Sequence, residues 1–236
     1  MTSLHRLFLC AAFAAALSAE GAQAQQGNAI PVIEGPTYVM TYVEVVPSAI
    51  AQATAMLKAY RDASRGEQGA MHVDVFQEEG QSHRFILNEI WQNRGAAATH
   101  GNAASMTALA GKLKPIELGP LDVRIHQAHA VTPPKAPSAN TIIIVSHADV
   151  AGGNTQNLMR AFAPLSEASR KENGMLRYEI LDEVPAHANH FRLIEEWASA
   201  AAFETHNRAA HTQTYRQTIL PWLGTPYDQR LYRLVN

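Results

Sequence analysis

The chain has 236 residues, with 19 Lys and Arg against 21 Asp and Glu, a net charge of −2 and a hydrophobic fraction of 47%. That charge gives no general attraction for nucleic acid or an anionic membrane surface, and the length allows one large domain or two small ones. Its single cysteine is Cys10, within a segment expected to be removed. Disulfides, thiolate nucleophiles and cysteine-based metal or iron–sulfur sites are therefore excluded from the mature chain.

Residues 1–24 read as a secretory signal. "MTSLHR" carries Arg6, "LFLCAAFAAAL" is a short apolar core, and Ala22 and Ala24 form an Ala-x-Ala site with cleavage expected before Gln25. The apolar run is too short for a permanent span, and no later segment is apolar enough to cross a membrane. The expected destination is the periplasm or the exterior, with no membrane partner after cleavage. Residues 25–36 form an N-terminal extension.

The remainder is written twice. "ASRGEQGAMHVDVFQEEGQSHRFILNEIWQNRGAAATH" is repeated as "ASRKENGMLRYEILDEVPAHANHFRLIEEWASAAAFETH". Glu67 and Gly69 match Glu172 and Gly174. After one inserted residue, Phe85, Leu87, Glu89, Trp91 and His100 match Phe191, Leu193, Glu195, Trp197 and His206. A repeat this long is a duplicated domain rather than a solenoid unit. The copies span 37–131 and 140–236, joined by the proline-rich linker 132–139.

In chain order, "TYVMTYVEV" is β-branched and aromatic, hence a strand. A helix follows over "SAIAQATAMLKAYRDASRG", with Ser48 as N-cap and Gly66 near its end. Strands "MHVDVFQE" and "RFILNEIW" are joined by a polar turn, a short helix holds His100, and "DVRIHQAHAV" closes the unit. The second copy repeats this with "NTIIIVSHADV", "NTQNLMRAFAPLSEASRKENG", "LRYEILDE", "FRLIEEW", a helix holding His206, and "QRLYRLV". Gly174 follows the second long helix, which Pro164 must kink or divide.

The order β-α-β-β-α-β is ferredoxin-like, with helices on one sheet face. The other face is left apolar, so two copies packed sheet to sheet would bury both. The fold class is α+β, a covalent pseudo-dimer, with further self-association left open.

Strand parity puts Glu89 with Trp91 and Glu195 with Trp197 on shared faces. A half-buried carboxylate needs a partner, and Arg124 and Arg230 are the candidates, with Asp122 and Asp228 in the same network. The tryptophans serve either as core plugs or as pocket walls, and the histidines either bridge backbone or face a ligand. The copies differ at two places. His211 has Ser105 opposite it, and His147 has Tyr42, so copy two holds more groups that exchange protons near neutrality. His206 and His211 are five residues apart, about 140° on a regular helix, and so are expected on different faces. No metal site is expected there, although "HANH" (His187, His190) offers adventitious metal contacts. Nucleotide loops, a Gly-x-Ser-x-Gly elbow and His-Glu-x-x-His are absent from the sequence.

Glu67, Gly69, Phe85, Leu87, Glu89, Trp91, Ala96 and His100, with Glu172, Gly174, Phe191, Leu193, Glu195, Trp197, Ala202 and His206, make the chain resemble the antibiotic biosynthesis monooxygenase family of dimeric α+β barrels. The resemblance covers nearly the whole mature chain, twice. It implies oxygenation of a small aromatic or quinol by O2 with no cofactor, the substrate supplying the electrons. His206, Trp197 and His211 are the expected catalytic residues, and His147, Glu195, Arg230, Trp91 and His100 the substrate-binding ones. Two alternatives stand beside it. One is a haem-binding or haem-degrading relative, the other a non-catalytic module binding a small molecule on the same scaffold.

Overall fold

The computed structural model describes residues 35–130, 135–184 and 189–236. The expected signal with Cys10, the extension up to residue 34 and His187 of the "HANH" turn lie outside the described residues. Repeat 1 consists of β1 (Thr37–Glu44), α1 (Ile50–Ser64), β2 (Ala70–Glu78), β3 (Arg84–Trp91), α2 (Arg94–Gly101), α3 (Ala104–Leu113) and β4 (Asp122–Ala130). Repeat 2 has the same order: β5 (Ile142–Asp149), α4 (Thr155–Ser169), β6 (Met175–Glu183), β7 (His190–Trp197), α5 (Ala200–Arg208), α6 (Ala210–Ile219) and β8 (Asp228–Leu234).

Two local expectations need correction, and a third is narrowed. The short helix after each tryptophan is a pair of helices, parted at Ala103 and Ala209, whose ψ angles of 154° and 142° are extended. Ser48 caps nothing, because a 3-10 turn over Pro47–Ala49 precedes α1 and Ala49 takes the cap position. Pro164 does not divide its helix: α4 runs unbroken from Thr155 to Ser169 around it.

All eight strands join one closed antiparallel barrel in the order β1-β3-β2-β8-β5-β7-β6-β4. Within each repeat the long strands pair in register, for example Thr37 with Trp91 and Ile142 with Trp197. Between repeats, Phe76 pairs with Leu234 and His126 with Glu183. The sheets therefore face each other as expected and also share their edges. Exposed edges invite uncontrolled pairing, and here each repeat covers the edges of the other.

The helices cover the outside. Val43, Val75, Phe85 and Leu87 pack against Leu57, Leu109 and Leu113 in repeat 1. Ile144, Ile180, Phe191 and Leu193 pack against Leu158, Phe162, Tyr215 and Ile219 in repeat 2. Each such side chain contributes about 1.5–3 kcal/mol by leaving water. Inside the barrel lie Tyr38, Met40, Phe76, Ile86, Ile143, Val145, Leu181, Ile194 and Tyr232.

The enclosed face is less apolar than the alternation suggested. At one end Arg177 Nη2 lies 2.6 Å from Glu179 Oε2 and its Nη1 3.1 Å from Glu196 Oε1. Tyr38 Oη donates to Glu179 at 2.8 Å. Removing one member of such a buried group costs about 3–5 kcal/mol, because the other charge is left unpaired.

Candidate functional site

The repeated motif builds one arrangement on the outer face of each sheet. Gly69 and Gly174 sit at φ 84°, a backbone state that side chains resist. Their carbonyls accept from Gln92 N and Ala198 N at 2.8 Å, the residues just after the tryptophans. A Cβ at either glycine would lie 2.7 Å from the Cβ of Ala96 or Ala202. The Glu-x-Gly turn and the helix alanine are therefore one close contact. The helices start there because Asn93 Oδ1 and Ser199 Oγ accept from Ala96 N and Ala202 N.

That contact aims the glutamate of the turn at the helix histidine. In repeat 1, His100 Nδ1 lies 2.7 Å from Glu67 Oε2, and its Nε2 lies 2.5 Å from Tyr60 Oη and 3.3 Å from Glu89 Oε1. In repeat 2, His206 Nδ1 lies 2.7 Å from Glu172 Oε2 and its Nε2 3.5 Å from Glu195 Oε2. Trp91 and Trp197 are fully buried, and their indoles donate to Glu89 at 3.3 Å and Glu195 at 3.0 Å. Parity did put each glutamate with its tryptophan, but the partner is the indole and histidine, not Arg124 or Arg230. Arg124 instead meets Asp122 and Glu183, and Arg230 meets Asp228 and Glu78.

Electrostatics separate the two copies. Burial alone pulls the His100 pKa down, but Glu89 and Glu67 outweigh it and leave it raised. Burial lowers that of His206 to about 3, with His211 and Arg216 adding to the effect. Burial raises Glu195 to about 7 against the indole hydrogen bond, and it raises Glu172 as well. Repeat 2 thus keeps a neutral imidazole, whereas the carboxylates of repeat 1 shift its histidine in the opposite direction. Leu165 stands where repeat 1 has Tyr60.

The expectation that His206 and His211 diverge assumed one continuous helix. Because the chain is extended at Ala209, α6 turns His211 back, and the two rings lie 5.7 Å apart between centroids. His211 Nε2 is 3.3 Å from Glu172 Oε1. These three side chains offer donor atoms that all lie within 4.8 Å of one another, so the residues present could hold a metal ion. The absence of a metal site in this run, expected from helical geometry, does not follow.

His147 and Arg230 do not join this group. Ile142 and Ile144 share the outer face with Trp197 and Glu195, so the alternation puts His147 inside the barrel. There it meets its own counterpart, with His147 Nε2 3.4 Å from Tyr42 Oη. The two lie in a cavity of roughly 530 Å³ at one mouth of the barrel, with Arg124, Arg192, Arg230 and Tyr232. Arg124 stacks over Tyr42 at 5.0 Å, and Arg192 reaches Asp149 at 3.2 Å and Glu183 at 3.5 Å. Burial lowers the His147 pKa to about 3, helped by Arg192, Arg230 and Arg124, while burial raises that of Tyr42. A neutral imidazole and a neutral phenol therefore face each other among three guanidinium groups. Arg192 was overlooked in the sequence, although the parity that joined Glu195 to Trp197 also places Arg192 on the opposite face.

The sequence profile of the antibiotic biosynthesis monooxygenase family matches residues 36–112 and again 141–218. A Bacillus subtilis protein named "Putative monooxygenase YcnE" is 27% identical over 82 residues, 35% of this chain and 86% of its own. A solved Fusobacterium nucleatum structure, named "Putative monooxygenase (FN1347)", superposes with a TM-score of 0.78 at 15% identity, covering 86% of this chain and 94% of that one. A Lactobacillus acidophilus structure gives 0.71 at 14%, with 86% and 95% covered. An "anthrone oxidase-like protein" gives 0.68 at 10%, with 86% and 92% covered. At such identities the structures show the fold alone, while the matched profile and the named relative support a monooxygenase-like role. With the motif in both halves and the profile matching each, the chain belongs to the antibiotic biosynthesis monooxygenase family, as a tandem of two such domains closed into one α+β barrel.

Proposed function

We propose that the chain is an exported oxygenase that oxidises a small electron-rich aromatic or quinol at the barrel mouth, without a cofactor. The observation that carries this reading is the Tyr42–His147 pair, equivalent positions of the two repeats that meet inside a cavity of roughly 530 Å³. A flat phenol of modest size suits that volume. His147 is unprotonated and free to accept; burial and the arginines make it a weak base in the empty site, and an anionic substrate that pairs with those arginines raises its pKa toward the range a general base needs. Arg124, Arg192 and Arg230 offer N–H donors to the developing phenolate, and their carboxylate partners keep them fixed.

For an anthrone-type ring methylene, His147 accepts the first proton and the carbanion passes an electron to O2. Combination of the two radicals and protonation gives C–OOH. Loss of the remaining C–H proton with cleavage of the O–O bond releases water and leaves C=O. The sum is CH2 + O2 → C=O + H2O, with every electron supplied by the substrate. The outer-face tryptophans and histidines act in this reading as the frame that fixes the strands. Residues 1–24 deliver the protein to the periplasm or exterior.

The test is oxygen uptake with a panel of quinols and anthrones, in chelator and without flavin. Turnover is expected, with His147→Leu reducing kcat/KM by about 10²–10⁴-fold. No uptake with any substrate, or uptake abolished by the chelator, would refute the proposal.

A further inference from the structure

The asymmetry between the repeats has a chemical meaning apart from the barrel mouth. Glu172 comes from the turn before β6, His206 from α5 and His211 from α6, and they meet at the surface of repeat 2 only. In repeat 1 the matching position is Ser105, whose Oγ donates to Glu67 at 3.1 Å and closes the group with a hydroxyl. We propose that Glu172, His206 and His211 bind one divalent transition-metal ion of the class that takes mixed imidazole and carboxylate ligands, such as zinc or cobalt(II).

Four observations support this. Ligand atoms about 2.0–2.2 Å from zinc lie about 3–3.5 Å apart; Glu172 Oε1 is 3.3 Å from His211 Nε2, and Glu172 Oε2, hydrogen-bonded to His206 Nδ1 at 2.7 Å, need only draw back slightly to share an ion with it. His211 Nε2 is buried and makes no hydrogen bond among the described residues, although it points at a carboxylate oxygen. With Nδ1 of His206 on the ion, its Nε2–H faces Glu195 Oε2, 3.5 Å away. That is the carboxylate support metal-bound imidazoles commonly carry. Finally, a solvent-open depression lined by Glu172, Gly174, Ala198, Ala202, Thr205 and His206 reaches two of the three ligands from solvent. Two imidazoles and one carboxylate form a set with open positions rather than a closed structural cage.

This site lies on the opposite face of the sheet from Tyr42 and His147, so it stands or falls independently of the proposed reaction. The test titrates cobalt(II) into residues 25–236 and follows visible absorption, with zinc as competitor. One equivalent of tetrahedral or five-coordinate cobalt is expected. His211→Ser, which copies repeat 1, and Glu172→Gln should each weaken binding by about 10–100-fold or more, with metal-free melting curves close to that of the wild type. Absence of binding at micromolar cobalt, or equal binding by the wild type and both variants, overturns the proposal. Equal binding would assign the ion to other groups of the chain.

Discussion

Substituting Gly174 by alanine tests the contact that organises the motif. Two costs add at this position. Alanine at φ 84° is held in the left-handed region, at about 1–2 kcal/mol. Its Cβ also lands 2.7 Å from Ala202 Cβ, and forcing a methyl group into a packed contact costs about 1–3 kcal/mol. Reduced freedom of the unfolded chain returns about 0.4–1 kcal/mol. The net loss is then about 1–4.6 kcal/mol, and at about 2–4 °C per kcal/mol for a chain of this size, a melting temperature lower by about 2–18 °C. Thermal melts followed by circular dichroism would read it. Adding Ala202→Gly should recover the steric part, less about 1 kcal/mol of helix propensity, but not the backbone part. Gly111→Ala, in α3 with open space around it, should instead be neutral or stabilise by up to about 1 kcal/mol. A Gly174→Ala variant melting within a degree of the wild type would show that this close approach does not hold the site together.

Two further outcomes follow from burial and charge. Burial lowers the His126 pKa to about 3 from an ordinary 6.5, with Arg192 and Arg124 adding to it. The neutral ring is thus compatible with the fold, and the unfolded chain takes up the proton first as pH falls. Stability is fully present above pH 6.5 and falls below it by about 1.4 kcal/mol per unit until the folded ring titrates. His126→Phe should lower the slope of urea-derived stability between pH 6 and pH 4 by about that amount, and an unchanged slope would contradict the burial argument. Trp197→Phe removes the indole donor from buried Glu195 and should cost about 2–3 kcal/mol in urea unfolding. Its kcat/KM should stay close to that of the wild type, whereas lost activity at unchanged stability would return the indole to the reaction.

Much of the fold was legible because duplication doubles every signal. The strands, long helices and motif parity could be read from β-branched runs, helical spacing and matched pairs such as Trp91 and Trp197. The site was harder, for specific reasons. The break at Ala209 carries no glycine or proline, so nothing local warned that His211 would turn back toward His206. The placement of His147 followed from alternation along β5, but its resemblance in type to His206 drew the two together in the sequence. Edge pairing of β4 with β6 and β2 with β8 depends on how the repeats dock, and pairing across a domain boundary leaves no local pattern. Arg177, Arg192 and Glu179 lie in strands whose charged positions look like a solvated face until the second repeat covers them.

The most direct test of the central claim is where an aromatic ligand sits. A crystal structure with a bound, non-reacting hydroxylated aromatic should show its hydroxyl within hydrogen-bonding distance of His147 and Tyr42, inside the barrel mouth. A ligand seated on the outer face against His206 and Trp197, with the mouth empty, would contradict the account.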